Sequence, residues 1–381
     1  MVNLEQLARP CILARKDYIP GKPVEEVRRE LGIADVIKLA SNENPLGTSP
    51  LALQAMAREI ERNANRYPES QSPELAGRLA EIHGLQPGQV YLDNGLDGVI
   101  TRIGMTFLNP GDEVVFGQVT FPAYANAASR MNARLVPAGM TPGLRIDVDA
   151  VLGALTGRTK LIFLCNPNNP TGTILTRAEY RRVLDHLPDT ALLVMDEAYA
   201  DFADDAEYPR AAADLPDHPN LIVLRTFSKV MGLAGLRLGY ALAQAPLVRL
   251  LARSREPFPV NRAAQAGALA DLEDRDFYER TLQNNRAGRA FYAQALAGLG
   301  IRSIPSQANF ILIDLGQPAR PVFQAMLRLG VIVRPIDEPG LENYLRISIG
   351  LPEENQRAVA ALAKALGGST PARATNTKET A

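Results

Sequence analysis

The chain has 381 residues, of which 46% are hydrophobic and 22% charged, and its formal net charge is −1. Its length suits a large domain with a smaller one, and its composition is that of an ordinary globular protein. A nearly neutral chain lacks the basic surplus typical of nucleic-acid-binding proteins, so we expect no nucleic-acid partner. Two cysteines and three scattered histidines predict neither a disulfide framework nor a metal site.

The N-terminal residues MVNLEQLARPCILARKDYIPG carry charges and prolines where a signal peptide would have an apolar run. No later stretch approaches the roughly 20 apolar residues of a membrane helix. We therefore expect a cytoplasmic protein with no membrane partner. At the other end, residues 368–381 have almost nothing apolar to bury and are predicted to be a disordered tail.

Short apolar runs alternate with helical patterns between Val90 and Ala243. Several runs are continuously apolar, which is typical of strands in a mostly parallel sheet with helices on both faces. The predicted strands are Val90–Asp93, Glu113–Gly117, Ala133–Gly139, Lys160–Cys165, Ala191–Tyr199, Leu221–Phe227 and Leu238–Ala243. Ligands of such sheets bind at the carboxyl ends of the strands, so the chemistry is expected there.

A long helical pattern with an interruption follows, from about Gln265 to Ala297. Beyond it, the sequence predicts a second and smaller α+β unit. Its predicted strands are Asn309–Asp314, Val331–Pro335 and Leu345–Gly350, and its predicted helices are Pro321–Leu329 and Glu353–Leu366.

Lys229 lies just after a predicted apolar strand, in the segment TFSKVMGLAGLRLGY. Alone it would be interpreted as a solvated loop cation. Thr226, Ser228 and Arg237 surround it in sequence with the hydroxyl and guanidinium donors that a phosphate needs. Because a lysine amine can form a Schiff base with a carbonyl, the segment indicates a cofactor with an aldehyde and a phosphate.

Asp196 and Tyr199 end another apolar strand in the segment DEAY. A buried acid needs a partner, and the ring nitrogen of pyridoxal phosphate is one. The alternative, a magnesium-binding acid, would require a phosphate loop that the sequence lacks. In NPNNPTG, prolines and a glycine predict a rigid turn that can direct the amide of Asn169 at a ring oxygen. Gly95, between a strand and a helix, is a weaker signal for phosphate binding.

Five segments occur in a specific order: KLASNENPLG (Lys38–Gly47), RYP (Arg66–Pro68), NPNNPTG (Asn166–Gly172), DEAYADF (Asp196–Phe202) and TFSKVMGLAGLRLGY (Thr226–Tyr240). With them the chain resembles the fold-type I aminotransferases, and among these the histidinol-phosphate aminotransferase family. The resemblance implies a mostly parallel seven-stranded sheet flanked by helices, in a large cofactor-binding domain at residues 45–262. The smaller α+β domain would combine residues 1–44 and 263–367.

The resemblance implies pyridoxal 5′-phosphate, bound covalently to Lys229, as the cofactor. Lys229 would also carry the proton during catalysis, Asp196 would pair with the pyridine nitrogen, and Tyr199 would reach the ring hydroxyl. The other implied cofactor contacts are Asn169 at the ring hydroxyl, Phe121 stacked on the ring, and Thr226, Ser228, Arg237 and the backbone of Leu96 and Asp97 at the phosphate.

Tyr67, by the same resemblance, would reach the phosphate of the neighbouring subunit's cofactor, which implies a homodimer with shared active sites. The implied substrate-binding residues are Arg346, which would hold an α-carboxylate, with Asn44, Arg334 and Tyr18.

The implied reaction is the transfer of an amino group from a small-molecule donor to a 2-oxo acid, first of all from histidinol phosphate to 2-oxoglutarate. An aromatic amino acid donor and a decarboxylase of a phosphorylated amino acid are the open alternatives. A cofactor-sensing regulator would need a DNA-binding domain, for which no room is expected ahead of the match. The chain departs from the family pattern at Leu96, where a serine is usual, at Gly98, where an acid is usual, and at Pro259, where an asparagine is usual. These departures leave the donor undecided.

Overall fold

The computed structural model describes residue 2, residues 4–15 and residues 22–367. The tail predicted at residues 368–381 lies outside the described residues. The α-helices are α1 (Pro10–Leu13), α2 (Val24–Leu31), α3 (Pro50–Asn63), α4 (Pro73–His83), α5 (Gly95–Phe107), α6 (Ala123–Arg130), α7 (Val148–Gly153), α8 (Arg177–Asp185), α9 (Ala245–Arg253), α10 (Arg262–Asp271), α11 (Arg275–Gly298), α12 (Ala319–Arg328) and α13 (Pro352–Ala365). The strands are β1 (Ile37–Lys38), β2 (Val90–Asn94), β3 (Glu113–Gly117), β4 (Arg134–Ala138), β5 (Thr159–Cys165), β6 (Leu192–Asp196), β7 (Leu221–Thr226), β8 (Leu238–Ala243), β9 (Arg302–Ile304), β10 (Phe310–Asp314), β11 (Val331–Ile332), β12 (Arg334–Pro335) and β13 (Tyr344–Ser348).

The larger of two compact units contains Glu43–Gln283, Pro305–Asn309 and the described residues before Ile19. Its seven-stranded sheet has the order β2-β8-β7-β6-β5-β3-β4. β8 runs antiparallel to both of its neighbours, and β3 to β7 are parallel to one another. The predicted seven strands and mostly parallel sheet are confirmed, because the apolar runs of β5 to β8 lie buried between apolar layers on both faces.

β6 ends at Asp196, before the predicted limit of Tyr199. The chain leaves the sheet there and forms a 3₁₀ turn at Ala200–Phe202. Asp196 is therefore the last residue of its strand, at the edge where ligands of open α/β sheets bind.

The smaller unit contains the described residues among Pro20–Asn42, Asn284–Ile304 and Phe310–Ala381. It has a four-stranded antiparallel sheet, β12-β13-β10-β9, and a parallel pair, β1-β11. The strand predicted at Val331–Pro335 is divided between these two sheets, because Val331 and Ile332 pair with β1 whereas Arg334 and Pro335 pair with β13. β1 and β9 were not predicted, since two or three residues are too few to show an alternating pattern.

The long helical pattern is interrupted as predicted, because α10 ends at Asp271 and α11 begins at Arg275. α10 belongs to the larger unit, so the boundary lies later than the predicted residue 262. The physical reason is that α10 packs closely on α3: a Cβ on Gly267 would lie 2.8 Å from Cγ of Met56. Among the described residues, no helix combines the length and the apolar character needed to cross a bilayer.

Candidate active site

The carboxyl ends of β5, β6 and β7 lie side by side in the larger unit. Cys165 pairs with Asp196, and Asp196 pairs with Leu224. The asparagine turn, the acidic strand end and the lysine segment therefore leave the sheet at neighbouring positions. This is the expected edge for a ligand of an open α/β sheet.

Lys229 is half-buried, and its Nζ lies 5.6 Å from the centre of the Tyr199 ring. The segment that carries it turns tightly, since the backbone N–H of Ser228 donates to Oγ1 of Thr226 and that of Leu233 donates to the carbonyl of Phe227. The structure thus places the predicted lysine and two predicted phosphate ligands in one compact turn.

A second segment, Asn44–Thr48, holds the residues that follow Lys229. The Asn44 amide donates to the carbonyl of Val230 at 2.9 Å and to Oγ1 of Thr281 at 3.1 Å. The Thr48 hydroxyl donates to the carbonyl of Gly232 at 2.8 Å. At Gly232, where φ is +67°, a Cβ would lie 2.1 Å from the Gly47 carbonyl oxygen. Asn44, predicted to bind substrate, therefore supports the lysine segment.

Asp196 is 1% exposed. Burial raises the pKa of its carboxyl to about 6, against the opposing effect of two hydrogen-bond donors. The Tyr124 hydroxyl donates to Oδ2 at 2.7 Å and the backbone N–H of Ala198 donates to Oδ1 at 3.1 Å. The Phe121 and Tyr124 rings meet edge to face with centres 5.8 Å apart, so Phe121 packs on the tyrosine that contacts this carboxylate.

Tyr124 was missed by the sequence analysis. Its only sequence signal is its place in TFPAY, three residues after Phe121, which puts the two on one side of a helical turn. Nothing in the sequence indicated that its hydroxyl would meet an acid 72 residues away.

Two side-chain amides of the asparagine turn are held by hydrogen bonds within the protein. Asn166 accepts from the backbone N–H of Leu175, and Asn168 donates to the Val119 carbonyl and to the Thr171 hydroxyl. Asn169 is 9% exposed on the same turn. The rigid turn expected from its prolines is therefore present next to Asp196, whose carbonyl accepts from the Asn166 N–H.

A buried ion pair that the sequence analysis also missed lies beside Asp196. Nη2 of Arg225 is 2.9 Å from Oε2 of the fully buried Glu197, and its Nη1 is 3.6 Å from Oδ2 of Asp201. The pair joins the residue after β6 to β7, and removal of one partner would leave an uncompensated buried charge.

The start of α5 carries two of the predicted phosphate contacts, the backbones of Leu96 and Asp97. Its N-cap residue, Asn94, makes no side-chain cap, so the backbone N–H groups of the first turn, which includes Leu96 and Asp97, have no such acceptor. Nη2 of Arg237 lies 3.5 Å from Oδ2 of Asp97. Glycine suits position 95, because its φ is +67°, a conformation that residues with a Cβ rarely adopt. This donor set suits the phosphate of the predicted cofactor.

The remaining predicted residues are distributed over the chain. Tyr67 belongs to the larger unit, is 79% exposed and stacks on Phe258 with ring centres 4.7 Å apart. Arg334 and Arg346 belong to the smaller unit, where they lie opposite one another on the neighbouring strands β12 and β13. Tyr18 lies outside the described residues.

Comparison with known proteins identifies the family. The model of the family "Aminotransferase class I and II" matches residues 34–362. The chain belongs to the class I and II aminotransferases.

Individual relatives agree along nearly the whole chain. The chain is 45% identical to "Histidinol-phosphate aminotransferase 1" of Mannheimia succiniciproducens, over 95% of this chain and 98% of that one. It is 43% identical to "Histidinol-phosphate aminotransferase" of Symbiobacterium thermophilum, over 94% and 98%. A solved histidinol-phosphate aminotransferase from Sinorhizobium meliloti, in complex with pyridoxal-5′-phosphate, has a TM-score of 0.87 at 27% identity and covers 94% of this chain and 96% of that one.

This aminotransferase therefore uses pyridoxal 5′-phosphate. When bound, the cofactor supplies an electron sink for the carbanion that forms as the substrate loses its Cα proton. The larger unit presents an amine at Lys229, a buried carboxyl at Asp196, backbone N–H groups at the start of α5, and hydroxyl groups in the turn after β7.

Proposed function

We propose that this aminotransferase transfers the amino group of histidinol phosphate to 2-oxoglutarate, which yields imidazole-acetol phosphate and glutamate. The observation that carries the proposal is the 43–45% identity, over at least 94% of the chain, to proteins named for histidinol phosphate. The reaction would belong to histidine biosynthesis.

The proposed cofactor roles rest on the geometry of the larger unit. Lys229 would hold the cofactor covalently and carry the proton, and Asp196 would accept a hydrogen bond from the protonated ring nitrogen. Tyr199 and Asn169 would hold the ring hydroxyl oxygen, and Phe121 would stack on the ring. The half-buried position of Lys229 and the full burial of Asp196 support the first two roles, since charge interactions are stronger away from bulk water.

The proposed phosphate site combines Thr226, Ser228 and Arg237 with the backbone of Leu96 and Asp97. Leu96 contributes no hydroxyl, but its backbone N–H remains in the first turn of α5. Support comes from the tight fit of β8 against this turn: a Cβ on Gly239 would lie 2.7 Å from the Leu96 nitrogen.

The proposed substrate anion site uses Arg346 with Arg334. Cross-strand partners project on the same face of a sheet, so these two cations are neighbours. Two neighbouring guanidinium groups suit a carboxylate or a phosphate, which arginine can bind with two hydrogen bonds. The Arg346 guanidinium is held in place by a 2.7 Å hydrogen bond to the Ala40 carbonyl. We also propose that Tyr18 binds substrate, on the basis of the sequence resemblance alone.

We propose a homodimer with shared active sites, in which Tyr67 reaches the cofactor phosphate of the partner subunit. The backbone around Tyr67 is held firmly, because Arg262 donates to its carbonyl at 3.0 Å. Its ring is nevertheless exposed and lies beside the partly exposed Phe258. A large aromatic group that is fixed but exposed suits a contact with a second chain.

The proposed place of action is the cytoplasm. Cys11 and Cys165 are both free thiols, which suits a reducing compartment.

A half-reaction screen tests the substrate. Histidinol phosphate, glutamate, phenylalanine and tyrosine are added singly to the loaded enzyme, and conversion of the yellow lysine-bound cofactor to its pyridoxamine form is followed by absorbance. Fast conversion with histidinol phosphate and glutamate is expected. Conversion with the aromatic amino acids but not with histidinol phosphate would overturn the proposed substrate and leave the aminotransferase class unchanged. Release of CO₂ in the absence of an amino acceptor would show that the enzyme is a decarboxylase and would overturn the proposed amino-group transfer.

A further inference from the structure

Tyr124 contacts Asp196 of the proposed cofactor site and is fully buried. It belongs to α6, and its ring stacks on Phe163 with centres 4.6 Å apart and planes at 9°. Packing on both Phe163 and Phe121 leaves the ring little freedom. Its hydroxyl is therefore held at one point, 2.7 Å from Oδ2 of Asp196.

Tyr124 acts as a donor at this point. Burial, together with the nearby Asp196 charge, raises the pKa of its phenol well above the usual value, so the phenol keeps its proton at neutral pH. Asp196 consequently accepts one hydrogen bond at each oxygen, from Tyr124 and from the Ala198 backbone. Hydrogen bonds to a carboxylate favour its ionised form and oppose the effect of burial.

Two acidic groups near Asp196 act in the opposite sense. Asp97 on α5 and Glu197, the residue after Asp196, raise its pKa through their negative charge. Glu197 is compensated by Arg225 of β7. Cys165 on β5 is buried, and its thiol pKa is raised, so it stays neutral. The Tyr124 hydroxyl therefore offsets part of the cost of an ionised Asp196.

We propose that Tyr124 is a positioning residue that keeps Asp196 ionised and directed at the ring nitrogen of pyridoxal phosphate. The inference rests on the proposed role of Asp196. An ionised aspartate can hold the proton on the ring nitrogen, whereas a neutral one cannot. Tyr124 thus controls the strength of the cofactor's electron sink by acting through Asp196.

The experiment removes one oxygen atom, through Tyr124→Phe, which retains the ring stack. Asp196 is titrated in cofactor-free protein by infrared spectroscopy of its carboxyl group, with ¹³C-labelled aspartate and with Asp196→Asn to assign the band. We expect its acid dissociation constant to fall about tenfold in Tyr124→Phe. In the cofactor-loaded variant, kcat should fall by a larger factor than the factor by which KM changes. Part of the lost kcat should return at higher pH.

Tyr292→Phe is the matched control. Tyr292 is also fully buried, and its hydroxyl makes no hydrogen bond within the described part of the chain. Removal of this hydroxyl should leave the Asp196 titration unchanged. An Asp196 titration that is identical in Tyr124→Phe and in the parent protein would overturn the proposal.

The measurement separates this inference from the proposed function. The titration contains no substrate, so a failed histidinol phosphate screen does not affect it. If Asp196→Asn keeps full activity, the role of Asp196 itself is wrong, whatever the titration of Tyr124→Phe shows. If Asp196→Asn is inactive and Tyr124→Phe titrates normally, only the role of Tyr124 is wrong.

Discussion

At the scale of single residues, Lys229 is the group whose loss is expected to be most damaging. Lys229→Ala removes the amine that would hold the cofactor and carry the proton. Activity should fall more than about 1,000-fold, and the yellow absorbance of the loaded protein should disappear. Absorbance and a transamination assay measure both effects. Lys364→Ala, which changes an exposed lysine of α13, serves as the control. Full activity in Lys229→Ala would exclude the assignment.

Asp271 is a buried acid that the proposed reaction does not use. It is 2% exposed at the end of α10, and neither carboxyl oxygen has a hydrogen-bond partner in the described part of the chain. Burial, with a smaller effect from the nearby Asp274 charge, raises its pKa to about 7. In an unfolded chain the same carboxyl ionises near pH 3.9.

The sign of the resulting pH effect follows from proton binding. Between pH 4 and 7 the folded protein retains a proton that the unfolded chain has lost, so this carboxyl lowers stability as the pH rises. Asp271→Asn cannot ionise and should therefore stabilise the protein more at pH 8 than at pH 5, by about 1–3 kcal/mol. Denaturant unfolding at both pH values measures this, with the exposed Asp217→Asn as control. An equal effect at both pH values would show that Asp271 ionises freely in the folded protein.

At the scale of elements, the contact between β8 and the first turn of α5 shapes the proposed phosphate site. Gly239→Ala would place a Cβ 2.7 Å from the Leu96 nitrogen and 2.8 Å from the Gly95 carbonyl carbon. Because both atoms belong to the backbone, the start of α5 must move.

We expect Gly239→Ala to weaken cofactor binding by about tenfold or more and to lower the free energy of unfolding by about 1–3 kcal/mol. Cofactor titration and denaturant unfolding measure the two effects. Gly235→Ala, in the same part of the chain, is the control, since no atom of residues 4–15 or 22–367 lies within 4 Å of its added Cβ. If Gly239→Ala binds the cofactor like the parent protein, the start of α5 is not part of the phosphate site.

Element types were predictable wherever the chain carries a long local pattern. The continuous apolar runs of β5, β6 and β7 and the interruption between α10 and α11 are properties of adjacent residues, so the sequence contains them. β1 and β9 are defined by their hydrogen-bonded neighbours rather than by their own residues. The division of Val331–Pro335 between two sheets has the same origin.

At the scale of the whole molecule, shared active sites can be tested by complementation. Lys229→Ala and Tyr67→Ala should each be strongly impaired as pure variants. In a hybrid dimer of the two, one site would have its own Lys229 and the Tyr67 of the other chain. Co-expression with two affinity tags should therefore restore about half of the parent activity in the purified hybrid, because one intact site forms per dimer.

No recovery in the purified hybrid would show that Tyr67 acts within its own chain. A parent protein that sediments as a monomer at assay concentration would contradict the dimer itself. A hybrid of Lys229→Ala with Lys364→Ala is the matched control, and it should also retain about half of the parent activity, whichever chain supplies Tyr67.

The sequence by itself determined the family, the seven strands of the large sheet, the cofactor and the lysine that would hold it. These follow from short segments in which neighbouring residues carry both the structural pattern and the chemistry. Only the tertiary structure showed that Tyr124 donates to Asp196, that Asn44 supports the lysine segment, and that Asp271 is buried with no hydrogen-bond partner among the described residues. Each of these joins residues far apart in the chain or depends on burial. Burial and long-range hydrogen bonds arise only when the elements pack, and no local pattern encodes them.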